Sequence, residues 1–171
     1  MNDKKSDQAG LRGISAGETA IATVGKEGHG LSYRGYDILE LSDNASFEEV
    51  AWLLLYGELP NTTELTSYLS ALRSLRELPA SLRDVLEQIP AETHPMDVLR
   101  TGCSMLGTLE PERDFSQQLD AANRLIATFP GMLLYWHHFV TNGARIETQS
   151  NEETLAGHFL YLLHGETPSE L

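Results

Sequence analysis

The stretch 119-LDAANRLIATFPGMLLYWHHFVT-141 decides the fold of this 171-residue chain. Its apolar residues recur in alternating steps of three and four, which is the repeat of a helix with one buried face. They are Leu119, Ala122, Ile126, Phe129, Leu133, Trp136 and Val140, and a second stripe beside them holds Leu125, Met132 and Phe139. Two apolar faces require more than one packing partner, so the pattern predicts a central core helix, with a cofactor cradle as the alternative. Pro130 predicts a break in this helix, because proline kinks or ends helices.

Composition limits the kinds of partner that this chain can bind. Acidic residues outnumber basic ones by 25 to 12, and a formal charge of −13 repels nucleic-acid phosphates. Hydrophobic residues make up 41% of the chain, which favours a packed core. No apolar run is long enough to span a membrane, and the start, MNDKKSDQAG, lacks the apolar segment of a secretory signal. A single cysteine, Cys103, allows no internal disulfide. Together these features predict a soluble, cytoplasmic, single-domain protein.

The N-terminal part of the sequence differs in character from the remainder. Residues 1–10 are predicted to be a disordered lead-in. The β-prone stretches Thr19–Val24 and Leu31–Arg34 flank a glycine-rich segment, which predicts a β-hairpin. The connecting GKEGHG lacks the spacing of a phosphate-binding loop, so a plain turn is the favoured interpretation.

From residue 37 onward the sequence is helical, and start signals mark several helices. Ser46 with Glu49, Asn61 with Glu64, and Ser150 with Glu153 have the spacing of capping boxes. Asp37 and Pro95 mark two further starts. The helix after Ser46 is predicted to bury a face formed by Phe47, Val50, Ala51 and Leu54. Small residues near the middle of the helix after Pro95 predict close approach of another helix, and they are Thr101, Gly102, Ser104 and Gly107.

The histidines do not form a metal-binding pattern. The adjacent His137 and His138 point to different faces of a helix, and His158 and His164 share no face either. There is no HExxH motif or cysteine pair, so no metal site is predicted. His94 precedes Pro95 and is predicted to cap that helix. The sixth histidine, His29, lies in the hairpin turn and is predicted to be solvated.

Three arginines and one cysteine are the remaining candidates for a functional role. Arg73 and Arg76 lie one turn apart near a predicted helix end, where they would grip an anionic substrate; the alternative is a solvated pair. Arg34 is predicted to pair with a carboxylate and fix the hairpin, with a direct substrate contact as the alternative. Cys103 lies on an apolar face, which predicts a buried thiol. Spacing alone therefore predicts a soluble helical domain with a small hairpin and no catalytic constellation.

Four sequence segments carry a family resemblance. They are GLRGISAGETAIATVGKEGHGLSYRGYDILEL, FEEVAWLLLYGELP, HPMDVLRTG and HFLYLLHGETPSEL. In this order they resemble the N-terminal part of the citrate synthase family and cover the chain from Gly10 to Leu171. SMLGTLEPE and LLYWHHFVTNGARIE are most similar to its bacterial 2-methylcitrate synthase branch. The resemblance implies a mainly α fold, in which residues 11–171 are the N-terminal helical part of a large domain with a small β-hairpin, and it implies that the small domain is absent.

The resemblance also implies a reaction and an assembly. This branch condenses propionyl-CoA with oxaloacetate, so the acyl-CoA is a substrate and no further cofactor is implied. In the family an aspartate removes the proton, one histidine stabilises the enol, a second polarises the ketone, and arginines hold the carboxylates. The family is dimeric, and helices matching residues 95–106 and 119–141 pack against their copies across the two-fold axis.

The catalytic strings of the family are missing from this sequence. EHEFNAS and HGGANE, which carry its catalytic residues, do not occur here. No catalytic residue is therefore assigned in this chain, and the isolated piece is predicted to be inactive. Two alternatives remain: a non-enzymatic dimerisation or interaction fragment, and the same part of a citrate synthase that uses acetyl-CoA.

Overall fold

The computed structural model describes residues 17–24 and 30–169, and these residues fold mainly into α-helices. The helices are α1 (Ile38–Asn44), α2 (Phe47–Tyr56), α3 (Thr62–Ser74), α4 (Ala80–Leu86), α5 (Pro95–Leu109), α6 (Gln118–Asn142) and α7 (Leu155–His164), with a short 3-10 helix at Phe115–Gln117. The predicted mainly α class is confirmed. None of the helices in the described ranges is long and apolar enough to cross a bilayer. The lead-in predicted for residues 1–10 lies outside the described residues.

A small antiparallel sheet precedes the helices. Strand β1 (Ala22–Thr23) pairs with β2 (Ser32–Tyr33), which confirms the predicted hairpin, and β2 also pairs with β3 (Tyr36–Asp37). The third strand was not predicted. Arg34 and Gly35, between β2 and β3, have φ values of 50° and 92°, and two positive φ angles are what a two-residue hairpin turn requires. The GKEGHG turn and His29 fall largely in residues 25–29, which lie outside the described residues.

Local capping explains where most helices begin. The two capping boxes predicted at Ser46 and Asn61 are present, and Asp37 caps α1 through Leu39 N at 2.8 Å. His94 caps α5 as predicted, because its Nδ1 accepts a hydrogen bond from Met96 N at 3.1 Å. Each of these caps satisfies backbone N–H groups that the first helical turn leaves without a partner.

The third predicted capping box is wrong. Helix α7 is capped by Thr154, whose Oγ1 accepts a hydrogen bond from Gly157 N at 3.0 Å. Ser150, the residue predicted to cap, lies four residues earlier, and its hydroxyl contacts His158 instead. Ser150 therefore contacts a side chain of α7 instead of capping its first turn.

The central helix α6 packs against α3, α4, α5 and α7, so the prediction of several partners is confirmed. The largest buried cluster surrounds it and contains Leu78, Leu82, Leu86, Val98, Leu106, Met132, Tyr135 and Trp136. The predicted break at Pro130 is wrong, because α6 continues through it. Proline removes one backbone donor from the helix. Leu125 and Phe129 before Pro130 pack against the same buried cluster that contains Met132 and Tyr135 after it, so both halves of α6 share one core.

Helices α5 and α6 approach each other closely at Gly102. A Cβ atom built on Gly102 would lie 2.9 Å from Met132 Sδ, so only glycine fits there without movement. The prediction of close approach is confirmed for this residue. Thr101, Ser104 and Gly107 are exposed on the other side of α5.

The predicted buried face of α2 is wrong. Phe47 is 60% exposed, whereas Leu53 and the acidic Glu48 are fully buried. Val50, Ala51 and Leu54 are only partly buried. The face that α2 buries instead includes Glu48, whose carboxylate caps α7 in a contact that links residues 107 positions apart.

Candidate functional site

A polar groove lies where the C-terminal end of α3 meets the segment before α7. Its volume is about 710 Å³, and its lining includes Ser70, Arg73, Ser150, Asn151, Tyr161 and Thr167. The groove joins residues separated by about half the chain, because α3 and α7 both pack on α6. Glu152 also lines the groove, so the lining offers hydroxyl and amide groups, one carboxylate and one guanidinium, which suits a polar ligand.

Arg73 lies at the surface of this groove. Its Nη2 is 3.9 Å from Glu153 Oε1, and the two side chains are 38% and 78% exposed, so solvent screens this pair. Its Nε is buried and has no hydrogen-bond partner among the described residues. Arg73 is therefore the member of the predicted arginine pair that a ligand in the groove would reach.

Arg76 has a different environment. It is fully buried, and its guanidinium donates to backbone carbonyls of the segment before α7. Nη1 lies 2.7 Å from Glu152 O and 3.4 Å from Ser150 O, while Nη2 lies 3.4 Å from Glu153 O and 3.3 Å from Thr154 O. Burial and the neighbouring Arg73 lower the pKa of this guanidinium. The alternative of a solvated pair is wrong for Arg76, and the anion-gripping role of the two arginines stays a prediction.

His158 is buried beside this arginine. Its Nδ1 lies 2.8 Å from Ser150 Oγ, and its Nε2 has no partner among the described residues. Burial and the charge of Arg76 lower the pKa of His158 to about 4. The imidazole is therefore neutral near neutral pH. Sequence spacing did not indicate this contact, because Ser150 was interpreted as a helix cap.

Glu48 is a third buried polar residue in this region, beside Arg76 and His158. Its Oε1 accepts a hydrogen bond from Leu155 N at 2.6 Å, so a buried carboxylate caps the first turn of α7. Its charge is one of the causes, after burial and Tyr56, that raise the pKa of Tyr68 to about 12. No sequence pattern indicates this role, since Glu48 stands in the first turn of α2, where many glutamates are solvated.

The other candidate residues do not line the polar groove. Arg34 Nη2 donates to Leu54 O at 2.9 Å, so it fixes the hairpin to α2 through a carbonyl, and the predicted carboxylate partner is wrong. Cys103 is half-buried, so the prediction of a buried thiol is wrong, and it lines a second groove of about 630 Å³ between α5 and α6. His138 Nε2 lies 2.8 Å from Leu162 O, while His137 is exposed on another face. Residues 17–24 and 30–169 contain no group of three or more His, Cys, Asp or Glu placed to hold a metal ion.

Comparison with known proteins gives the same family at the level of sequence. The family model described as "Citrate synthase, C-terminal domain" matches residues 10–171. The 2-methylcitrate synthase of Shewanella oneidensis is 56% identical over 100% of this chain and 46% of its own length. The citrate/2-methylcitrate synthase of Bacillus subtilis is 32% identical over the same shares of the two chains. The chain thus spans about half the length of these relatives.

Solved structures agree with this assignment. The crystal structure of citrate synthase from Thermotoga maritima is 30% identical with a TM-score of 0.78, and the match covers 94% of this chain and 42% of that one. A citrate synthase from Thermoplasma acidophilum, solved in a ternary complex with carboxymethyl coenzyme A and oxaloacetate, has a TM-score of 0.83 over the same shares. At 20% identity the second likeness shows the fold alone. This chain belongs to the citrate synthase family.

Proposed function

We propose that this chain is the N-terminal helical part of a 2-methylcitrate synthase, an acyltransferase of propionate catabolism. The complete enzyme would condense propionyl-CoA with oxaloacetate to 2-methylcitrate and CoA, with the acyl-CoA as a substrate and no further cofactor. The observation that carries this proposal is the 56% identity to the Shewanella oneidensis 2-methylcitrate synthase over the whole chain. The alternative is a citrate synthase that uses acetyl-CoA, and the double name of the Bacillus subtilis relative keeps it open.

A chimera tests the choice of substrate. This chain replaces the matching 46% of the Shewanella oneidensis enzyme, and kcat/KM is measured with propionyl-CoA and with acetyl-CoA. We expect the chimera to retain activity and to prefer propionyl-CoA. A preference shifted toward acetyl-CoA relative to the unmodified Shewanella oneidensis enzyme would favour the citrate synthase alternative, and an inactive but folded chimera would count against a shared scaffold.

We expect the isolated 171-residue chain to be inactive. The strings that carry the family's acid, base and electrophile are absent from it, and its buried His158 holds a backbone segment in place through Ser150. The assay is thiol release from propionyl-CoA in the presence of oxaloacetate, with the Shewanella oneidensis enzyme as positive control. Release at the rate of the protein-free blank is expected, and turnover well above that blank would contradict the proposal.

We propose different roles for Arg73 and Arg76 in binding an anionic substrate. Arg73 would contact the carboxylate of a substrate in the polar groove, since it lines this groove, while Arg76 would hold the groove wall through its carbonyl contacts. In the chimera, Arg73→Gln should raise the KM for oxaloacetate and leave kcat unchanged. An unchanged KM would refute the role of Arg73.

We further propose that the chain dimerises through helices 95–106 and 119–141. Dimerisation of the isolated chain would also support the alternative that it is an interaction fragment. The outer side of α5 is exposed and small, and a Cβ atom on Gly107 would meet nothing within 4 Å. A two-fold contact would bury this side against its copy. Light scattering after size exclusion should show a dimer that Gly107→Glu disrupts and that Ala156→Glu, an exposed small residue on α7, leaves intact. A wild-type monomer would refute this.

A cytoplasmic location is proposed from composition. The chain has one cysteine, which is the usage expected of a reducing compartment. Fractionation of expressing cells should recover the protein with cytoplasmic markers, and recovery with periplasmic markers would contradict the proposal.

A further inference from the structure

The segment formed by residues 150–154 lies against the fully buried side chain of Arg76. The guanidinium of Arg76 contacts carbonyls of residues 150, 152, 153 and 154, and these contacts fix the path of the chain into α7. Three of the four distances from Arg76 to these carbonyl oxygens are 3.3–3.4 Å, which is long for a hydrogen bond. A small shift of the segment would therefore break these contacts. A local change in one member therefore affects the whole contact set.

The Ser150 hydroxyl connects this set to His158. Its oxygen accepts from Arg76 Nη1 at 3.4 Å and from Glu152 N at 3.3 Å. A serine hydroxyl has two acceptor positions and one proton. Because both acceptor positions are used, the hydroxyl proton is directed to His158 Nδ1 at 2.8 Å. His158 therefore accepts at Nδ1 and carries its own proton at Nε2.

We propose that Arg76, Ser150 and His158 form a proton-sensitive latch, in which proton uptake at His158 Nδ1 releases residues 150–154 from Arg76 and opens the polar groove. A protonated Nδ1 needs an acceptor, whereas the Ser150 oxygen is already occupied by two donors. The proton also places a second positive charge beside buried Arg76. Ser150 lines the groove, so its displacement changes the groove directly.

The charged groups around the latch set the direction of the pH effect. The positive charge of Arg76, which follows α3, disfavours a charged imidazole at His158. Two carboxylates lie nearby: Glu48 on α2, which accepts a hydrogen bond from Leu155 N, and Glu152 in the segment itself. Because the pKa of His158 in the closed latch is about 4, below its ordinary value of 6.5, the open form binds the proton more readily. Opening therefore increases as the pH falls from about 6.5 to about 4, and pH has no effect above that window. From near pH 7 to near pH 5, the equilibrium ratio of the open to the closed latch should rise about 20-fold.

Hydrogen–deuterium exchange on the full 171-residue chain tests the latch. Amides of residues 148–165 are followed by mass spectrometry near pH 7 and near pH 5, with correction for the intrinsic pH dependence of amide exchange. We expect opening in this region to increase about 20-fold at the lower pH while exchange in α4 is unchanged. His158→Gln should abolish the increase, because glutamine does not titrate. His164→Gln, at the exposed end of the same helix, should retain it.

A second measurement needs no variant and covers the case in which His158→Gln fails to fold. Nuclear magnetic resonance of 15N-labelled imidazoles should show His158 protonated at Nε2 near neutral pH and titrating well below its ordinary pKa of 6.5. The latch is overturned by a pH response that persists in His158→Gln, by no response in the wild type, or by a His158 that titrates near 6.5 while residues 150–154 stay protected.

Discussion

Replacing Arg76 by methionine is the most informative change to the fold. Methionine keeps an unbranched apolar side chain in the buried position and removes the guanidinium, which contacts four backbone carbonyls. The matched control is Arg73→Met on the preceding turn. Arg73 forms one ion pair at 3.9 Å with a partner that is 78% exposed. The two variants thus remove the same charge from two different environments.

The expected loss follows from these contacts. Hydrogen bonds that involve a charged group contribute about 1.5–3 kcal/mol each, and the Glu152 contact at 2.7 Å is the one of full strength. The longer contacts add less, and part of the desolvation cost of the buried guanidinium is recovered in the variant. We expect Arg76→Met to lower the free energy of unfolding by about 3 kcal/mol. Arg73→Met should lower it by about 0–1 kcal/mol.

Urea unfolding at neutral pH measures both values, provided that the m-value stays the same. For a chain of this size, a loss of about 3 kcal/mol corresponds to a decrease in Tm of about 6–12 °C. Arg76→Lys retains the charge but loses the fork geometry, so its unfolding free energy should fall between those of the wild type and Arg76→Met. The reasoning is refuted if Arg76→Met and Arg73→Met differ by less than about 1 kcal/mol.

Three further predictions concern the packing and caps. Glu48→Gln should lower the free energy of unfolding by about 1–2 kcal/mol, because the cap on Leu155 N loses its charge; an unchanged urea midpoint would contradict this. Gly102→Val should cost about 1–3 kcal/mol, since its Cβ would lie 2.9 Å from Met132 Sδ; thermal unfolding measures the loss, and a higher Tm would refute it. Hydrogen bonds from Arg145 and Tyr135 lower the pKa of Glu87 to about 2. The contribution of the Glu87 carboxylate to stability is therefore present above its ordinary pKa of 4.5 and is lost as the pH falls through about 2. Glu87→Gln should remove this part of the acid dependence, as measured by unfolding at a series of pH values.

Short-range features of this fold are readable from the sequence. The capping boxes at Ser46 and Asn61, the histidine cap before Pro95 and the first hairpin all join residues close together in the chain. Their geometry depends on a few dihedral angles, which the residue types nearly determine. The family resemblance adds the long-range arrangement that spacing alone does not provide.

Long-range polar contacts were not predictable in the same way. Glu48 and Leu155 are 107 positions apart, and Arg76 and Glu152 are 76 apart. Nothing in a local pattern distinguishes a glutamate that caps a distant helix from one that is solvated. Periodicity also placed Phe47 on a buried face of α2, whereas the folded helix buries Glu48 and leaves Phe47 exposed.

The arginine pair shows why spacing misplaces a candidate site. Residues three apart lie on one face only if both belong to the same helix. Helix α3 ends at Ser74, so Arg73 stands in its last turn and Arg76 comes after its end. The chain changes direction between them, and one guanidinium faces the groove while the other faces the carbonyls before α7. The position of the helix end relative to the two arginines therefore decides whether a cation is available to a ligand or is part of the core.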